Sequence, residues 1–359
     1  MHRRAAFRII LPQENLKTMT HDSAAAPRGR QEPKSEPAAA GRPIAIYYEH
    51  PRWFERLFSE LDHRGTPYRR VHADSHTFDP SELAADDSVA LVFNRMSPSA
   101  YRREHGHDIF YTLSYLGHLE AQGKRVINGE RAFRYEVSKA LQLSLLRSLG
   151  LPFPRSRVIH RAADAVAASA GLRFPVVVKP NIGGSGAGVT RLDSPEQLAA
   201  AAEQGLIDLG LDHVALVQEF IPARGGFITR VEVVGGRFIY AIRVHLSGQT
   251  FDLCPADICR TTAGVELNLA CPVEAPKAAL RVESYTPPAE VIAAVERQTA
   301  AAGIEVGGVE YIIDDRDGQL YYYDLNALSN FVADAPRVLG FDPFVRLCEF
   351  LEAEAGYVR

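Results

Sequence analysis

Four glycines within six residues, directly after a buried apolar strand, constrain this chain more than any other feature. The segment VVVKPNIGGSGAGV (176–189) runs into Lys179-Pro180 and continues through Gly183, Gly184, Ser185, Gly186 and Gly188. Glycine admits positive φ and lets backbone N–H groups approach an anion closely. A phosphate chain is the natural guest, and Lys179 is a cation at the mouth of the loop. No GK[ST] closes the loop and no long helix opens from it, which excludes a Walker A loop and a Rossmann fingerprint. Alone, the segment also fits a plain connection between two strands.

LVQEFIP (216–222) is a second apolar strand, broken at Pro222, with Glu219 just before the break. A strand passing into extended chain exposes unpaired backbone groups that a purine edge can use, and Glu219 can accept from an exocyclic amine. An edge strand with a solvated glutamate is the alternative.

Two hairpins carry oddly placed polar residues. In ITRVEVVGGRFIYAIRV (228–244), Gly235-Gly236 reads as a two-residue turn. Pairing Val234 with Arg237 sets Arg230 opposite Ala241 and Arg243 opposite Ile228, so the two arginines share a face. Like charges there need something negative between them, either a bound anion or Glu232. In VGGVEYIIDDRDGQLYYYDLNALSN (306–330), a three-residue loop Arg316-Asp317-Gly318 sets Glu310 opposite Asp324, with Asn326 on the same face. Tyr311, Ile313, Tyr323 and Leu325 then point the other way. Two carboxylates and an amide oxygen suit a hard divalent cation such as Mg²⁺, which keeps sites for phosphate oxygens. Without a cation, Glu310 and Asp324 repel each other.

The first part of the ordered chain alternates strands and helices. Strands are expected at 44–48, 89–94 and 125–128, with helices at 53–65 and 109–123, which implies a parallel α/β sheet. A further helix over 136–149 carries a stripe of Val137, Leu141, Leu145 and Leu149. Upstream, residues 20–43 are rich in Ala, Pro, Gly and charge and lack large apolar side chains, so they read as disordered. The apolar patch in residues 1–17 is too short for a secretory signal, and Met19 could be the true start. This tail, residues 1–42, takes eight of the 40 basic and four of the 44 acidic residues, so the remainder carries a formal charge of −8. Such a body is a poor nonspecific partner for nucleic acid. No apolar run approaches the ~18 residues of a membrane span. With four cysteines in 359 residues, a disulfide scaffold is excluded and a reducing, cytoplasmic setting is expected.

In order, these parts resemble the ATP-grasp superfamily, and within it the RimK-like (ribosomal-protein glutamate ligase) and glutathione-synthetase-like group. The resemblance covers about residues 44–350. It implies an α/β fold with α+β lobes: an N-terminal parallel α/β lobe (43–128), a lid lobe (129–222) and a C-terminal catalytic lobe (223–359). It implies that Lys139 and Lys179 bind ATP, that residues 183–188 close over its phosphates, and that Glu219 with the backbone of Phe220 and Ile221 holds adenine. Arg230 and Arg243 would hold the γ-phosphate or an acyl phosphate, and Glu310, Asp324 and Asn326 would hold Mg²⁺ or Mn²⁺. The implied reaction joins a carboxylate to an amine, such as an amino acid, through an acyl phosphate, releasing ADP and phosphate. A small-molecule kinase of the same fold and a non-catalytic nucleotide-binding regulator are the rivals.

The chain departs from that group in places. Ser138 stands where these families often carry Asp before the first lysine, and Ile228 stands where an acid usually meets the ribose. The segment 245–288 matches no usual substrate loop; it holds Cys254, Cys259 and Cys271 and is expected to read the acceptor substrate. Arg95, at the end of a strand, is read either as a substrate-carboxylate contact or as a surface arginine.

Overall fold

A computed structural model describes residues 41–50, 52–81, 88–184, 186–246 and 281–357. Residues 1–40 of the tail, Ser185 and the segment 247–280 with its three cysteines lie outside the described residues. The described residues belong to one compact unit, Ala38–Arg359.

The first sheet contains β1 (Ile44–Tyr48), β2 (Tyr68–His72), β3 (Leu91–Arg95) and β4 (Val126–Ile127), all parallel, in the order β2-β1-β3-β4. Every side chain of β1 is buried, as its unbroken apolar run requires of a central parallel strand. β2 is the edge strand; its YRRVH sequence has no apolar run and gave no strand signal. From β1 the chain passes to β2 on one side and then to β3 on the other. The carboxyl ends of β1 and β3 therefore border a crevice of the kind where open α/β sheets bind ligands.

Helix α1 (Glu55–Arg64) buries Leu57, Phe58 and Leu61 and stops at Gly65, whose φ of 64° suits glycine. Each such buried side chain contributes about 2 kcal/mol. Helix α2 (Gly106–Ala121) follows β3. The expected helix over 136–149 is two helices, α3 (Glu130–Glu136) and α4 (Lys139–Ser148). They break at Ser138, whose extended backbone and hydroxyl, accepting from the Leu141 N–H, start the second helix. The expected stripe is corrected too. Leu141 is 39% exposed, and α4 buries Gln142, Leu143, Leu145 and Leu146.

The second sheet is antiparallel, built from β5 (Ser156–Ile159), β6 (Val176–Pro180), β7 (Thr190–Leu192) and β8 (Ala215–Glu219) in the order β5-β8-β6-β7. It is backed by α5 (Ala165–Ala168) and α6 (Pro195–Glu203), which pack on Val176, Val178, Leu192, Ala215 and Val217. β8 is thus an interior strand, not an edge strand.

The third sheet contains β9 (Phe227–Val234), β10 (Arg237–His245), β11 (Val282–Tyr285), β12 (Val306–Ile313) and β13 (Leu320–Asn326), in the antiparallel order β11-β10-β9-β12-β13. α7 (Ala289–Ala302) and α4 cover one face, meeting Val231, Val233, Ala241, Val309 and Tyr311. The other face sends Ile228, Tyr240, Ile242 and Val244 into a core shared with the first sheet, after which α8 (Ala335–Leu339) and α9 (Pro343–Glu354) close the chain. Among the described residues no helix is long and apolar enough to cross a membrane.

Both hairpins of this sheet contain a bulge. In β9–β10, Val234 pairs with Arg237 as expected, but the register shifts between Phe238 and Tyr240. Arg230 then faces Ile242, and Arg243 faces Thr229. In β12–β13, the hairpin end is one residue longer than expected, since the Asp314 N–H donates to the Gln319 carbonyl. A shift between Glu310 and Tyr311 compensates, and Glu310 faces Asp324 as expected.

Candidate active site

A cavity of about 990 Å³ is lined by residues of all three sheets. From the third sheet come Arg230, Glu310, Tyr323, Asp324 and Asn326; from the second, Lys179, Glu219, Phe220, Ile221 and the glycine loop; from α4, Lys139. The first sheet supplies Ser97, Pro98, Ser99 and Arg102 from the connection after β3, and Trp53 from the one after β1.

The floor is polar and densely paired. Arg230 donates from Nε to Glu232 at 2.5 Å, from Nη1 to Glu310 at 3.2 Å and from Nη2 to the Ser329 hydroxyl at 3.3 Å. Burial opposes its charge, but Glu232 and Glu310 outweigh burial and hold its pKa above the ordinary range. The alternative in which Glu232 balances Arg230 is therefore realised, and Glu310 shares the task. Burial, with Asp324 adding, raises the Glu310 carboxyl against the pull of Arg230. Burial also opposes ionisation of Asp324, but Lys139 and Lys179 hold that carboxyl below its usual range. The Lys139 ammonium lies 3.0 Å from Asp324 and 3.3 Å from the Gly183 carbonyl, so it ties the glycine loop to the floor. Burial acts against its charge as well, and Asp324 wins. Lys179 is 7% exposed; burial and the neighbouring Lys139 pull its pKa down to about 8.

Gly307 and Gly308 in β12 let the third sheet close at this point. A Cβ at Gly307 would lie 2.2 Å from the Asn326 carbonyl oxygen, and one at Gly308 would lie 2.8 Å from a Glu232 carboxylate oxygen. In the glycine loop, Gly188 has φ of 68° and stands so close to Pro180 and Asp208 that a Cβ would clash with both.

Arg243 is elsewhere. With Thr229 and Ala241 it occupies the helix-covered face, lying over the rings of Tyr285 at 3.9 Å and Phe227 at 4.5 Å, with Glu283 at 3.6 Å. It does not line the cavity among the described residues. The expected shared face of the two arginines is corrected: the bulge near Tyr240 adds one residue, and in a strand one residue reverses the face. Arg95 is neither a surface arginine nor a cavity residue. It is 2% exposed, sits over Phe54 and Phe93, and donates to the Ser329 carbonyl and the Asn330 side chain. Burial pulls its pKa down to about 9.

The hinge also differs in detail from expectation. The Glu219 carboxylate accepts from the Arg173 N–H at 2.9 Å and has Arg155 at 3.5 Å, so its partners are arginines beside the second sheet. The Phe220 N–H donates to Pro175 and its carbonyl accepts from Arg316 at 3.3 Å. Among the described residues, the Glu219 carbonyl and the Ile221 N–H have no hydrogen-bond partner. One acceptor and one donor, two residues apart along the hinge, thus belong to residues that line the cavity.

Three further residues were not anticipated. Glu136, pushed up to about 7 by burial, lines the cavity and accepts from the Ala327 and Leu328 N–H groups just after β13. Gln142 bonds both the N–H and the carbonyl of Leu325. Tyr323 donates its hydroxyl to Glu310 at 2.7 Å, because the β13 bulge turns it into the cavity and away from its expected side. The available signal was the spacing of Glu136 three residues before Lys139, which puts both on one side of the expected helix over 136–149.

This arrangement of a parallel sheet and two antiparallel sheets around one cavity is the ATP-grasp fold. A family model for the RimK-like ATP-grasp domain matches residues 137–251. A D-alanine–D-alanine ligase from Pseudomonas entomophila is 28% identical over 263 residues, covering 72% of this chain and 76% of that one. A probable α-L-glutamate ligase from Teredinibacter turnerae is 34% identical over 137 residues, 37% of this chain and 44% of that protein. The fold matches the ATP-grasp ligase PsnB, solved with a minimal precursor, with a TM-score of 0.60 at 20% identity, over 87% of this chain and 99% of that one. Residues 137–251 thus match a RimK-like ATP-grasp domain, the whole fold matches that of ATP-grasp ligases, and the relatives it is similar to are ligases.

Proposed function

We propose that the chain activates a carboxylate with ATP as an acyl phosphate and passes the acyl group to an amine. The observation that carries this reading is one cavity containing Lys139, Lys179 and Arg230 over the facing carboxylates Glu310 and Asp324, beside a hinge with one free donor and one free acceptor. The adenine edge has a matching amine donor and ring-nitrogen acceptor, which the Glu219 carbonyl and the Ile221 N–H would meet. Lys179, whose charge burial and Lys139 disfavour until an anion arrives, and Lys139 on the glycine loop would hold the phosphates.

Glu310, Asp324 and Asn326 offer hard oxygen donors, and no group of three His, Cys, Asp or Glu side chains competes among the described residues. They would hold Mg²⁺, or Mn²⁺ in its place, which when bound neutralises charge on the transferring phosphoryl group. Arg230, fixed by Glu232 and Glu310, presents a preorganised cation to the same charge at no reorganisation cost.

In the first step a carboxylate oxygen of the substrate attacks the γ-phosphorus and the bond to ADP breaks. In the second the amine nitrogen attacks the acyl carbon, the bond to phosphate breaks and the nitrogen loses a proton. The glycine loop keeps water from the acyl phosphate. The carboxylate and amine would enter beside Ser97, Ser99, Arg102 and Trp53, where the first sheet reaches the cavity. The relatives' amino-acid and peptide substrates suggest an amino acid or peptide as one of them. The cysteine content suits action in the cytoplasm.

The test is purified protein with ATP, Mg²⁺ and pooled carboxylates and amines. Phosphate release that requires both pools is expected. A phosphorylated product without an amide would favour the kinase, and no release in any mixture would favour the regulator.

A further inference from the structure

The tip of the β12–β13 hairpin is far from the reacting groups, yet it is bonded to the hinge at several points. Asp314 is fully buried at the end of β12 and forms an isolated bridge with Ala223, just past Pro222. Its carboxylate accepts from Arg316 Nε at 2.8 Å, Arg316 Nη2 at 2.7 Å, the Arg316 N–H at 2.9 Å and Arg173 Nη2 at 3.2 Å. Burial opposes that charge, but Arg316 and Arg173 hold the carboxyl below its usual range. Arg316 Nη2 also donates to the Phe220 carbonyl at 3.3 Å, and the Asp315 N–H donates to the Pro222 carbonyl at 2.9 Å. Arg173 reaches back through its N–H to Glu219. The lid strand β8, the hinge and the catalytic sheet are therefore fastened by one buried carboxylate and two arginines.

The geometry has a consequence for base recognition. Arg316 occupies the Phe220 carbonyl, and Pro175 occupies its N–H. What the hinge has left is the Glu219 carbonyl and the Ile221 N–H. That pair fits a 6-amino purine and mismatches a 6-oxo purine, whose edge has the opposite polarity. A slack hinge would free the Phe220 carbonyl and lose the spacing of the remaining pair.

We propose that Asp314 and Arg316, with Arg173, are positioning residues that set the hinge for adenine, acting through the backbone of residues 219–221 and touching no substrate. This rests on the nucleotide reading given above. The experiment compares ATP and ITP as phosphoryl donors in the full chain, for the unaltered protein, Asp314→Asn and Arg316→Lys. Lysine keeps the charge beside Asp314 but lacks the planar fork that grips the carboxylate and reaches the Phe220 carbonyl at once, so it should fall between the other two. The expected result for Asp314→Asn is a KM for ATP raised about tenfold, the value of one misaligned hydrogen bond, with kcat within about twofold. The preference for ATP over ITP should fall by a similar factor.

Thermal melting checks folding, and if Asp314→Asn fails to fold, Arg316→Lys carries the test. Folded variants with unchanged KM and unchanged preference would overturn the proposal while leaving the hinge reading intact, as would a loss confined to kcat. An unaltered protein that does not distinguish ATP from ITP would instead sink the hinge reading on which the proposal stands.

Discussion

Arg230 and Arg243 stand on neighbouring strands of one sheet, on opposite faces. Arg230 lines the cavity between Glu232 and Glu310, with its Nη2 on the Ser329 hydroxyl. Arg243 lies over two aromatic rings on the helix-covered face, with Glu283 beside it. One residue of bulge separates these outcomes, since the side-chain period of a strand is two. The neighbouring hairpin β12–β13 also has a bulge, but its longer end offsets the shift, so both carboxylates stay on the cavity face and Tyr323 joins them. A cation's place in the chain thus says little about its chemistry until every extra residue in the ladder has been counted.

The sharpest way to break this comparison is at the carboxylates. Asp324→Ala should lower turnover by on the order of 10³-fold, because several kcal/mol of charge stabilisation depend on the cation it would hold. Steady-state phosphate release measures it, and a variant with full activity would refute the metal assignment. Next is the arginine pair itself. Arg230→Ala should reduce kcat/KM by about 10²-fold, as for loss of a preorganised donor. Arg243→Ala should stay within about threefold and lose instead roughly 1 kcal/mol of stability from its ring contacts. Equal catalytic losses in the two variants would contradict the face assignment.

Lys179 supplies a pH signature. Its pKa of about 8 means that the free protein has lost half of this charge by about pH 8, well below the ordinary lysine value. Phosphate binding favours the charged form, so the protein should take up a proton on binding ATP above that pH. Affinity should then fall by about tenfold per pH unit at most, starting near pH 8. Titration with a non-hydrolysable ATP analogue measures this, and Lys179→Arg should flatten the profile. A wild-type affinity that does not change between pH 7.5 and roughly 9.5 would remove Lys179 from the phosphate site. The smallest effect concerns the second bulge. Tyr323→Phe removes the hydroxyl from Glu310 and should weaken activation by Mg²⁺ about tenfold, as loss of a ligand's orienting partner does. Unchanged Mg²⁺ dependence would mean that the bulge serves packing alone.

Much of the framework was legible because it rests on local rules. The unbroken apolar run at 44–48, the glycine stop at Gly65 and the Gly235-Gly236 turn each specify structure within a few residues. The facing of Glu310 and Asp324 was also legible, although by two departures that cancel: a longer hairpin end and a bulge. What escaped was set by distant partners. Glu136 gains its place by bonding N–H groups 191 and 192 residues away, and Arg95 by meeting a carbonyl 234 residues away. No pattern along the chain encodes such pairings. The β10 bulge escaped for a different reason: FIYAI has no glycine or proline to mark it. The edge-strand alternative for β8 could not be decided from the sequence, because its break at Pro222 marks the end of the strand and not its position in the sheet.

The central claim is that a substrate carboxylate becomes an acyl phosphate in this cavity, and oxygen transfer tests it most directly. Turnover with carboxylates labelled with heavy oxygen in both positions should release phosphate bearing one labelled oxygen per amide formed. Phosphate released without label, in amounts equal to the amide, would contradict the account.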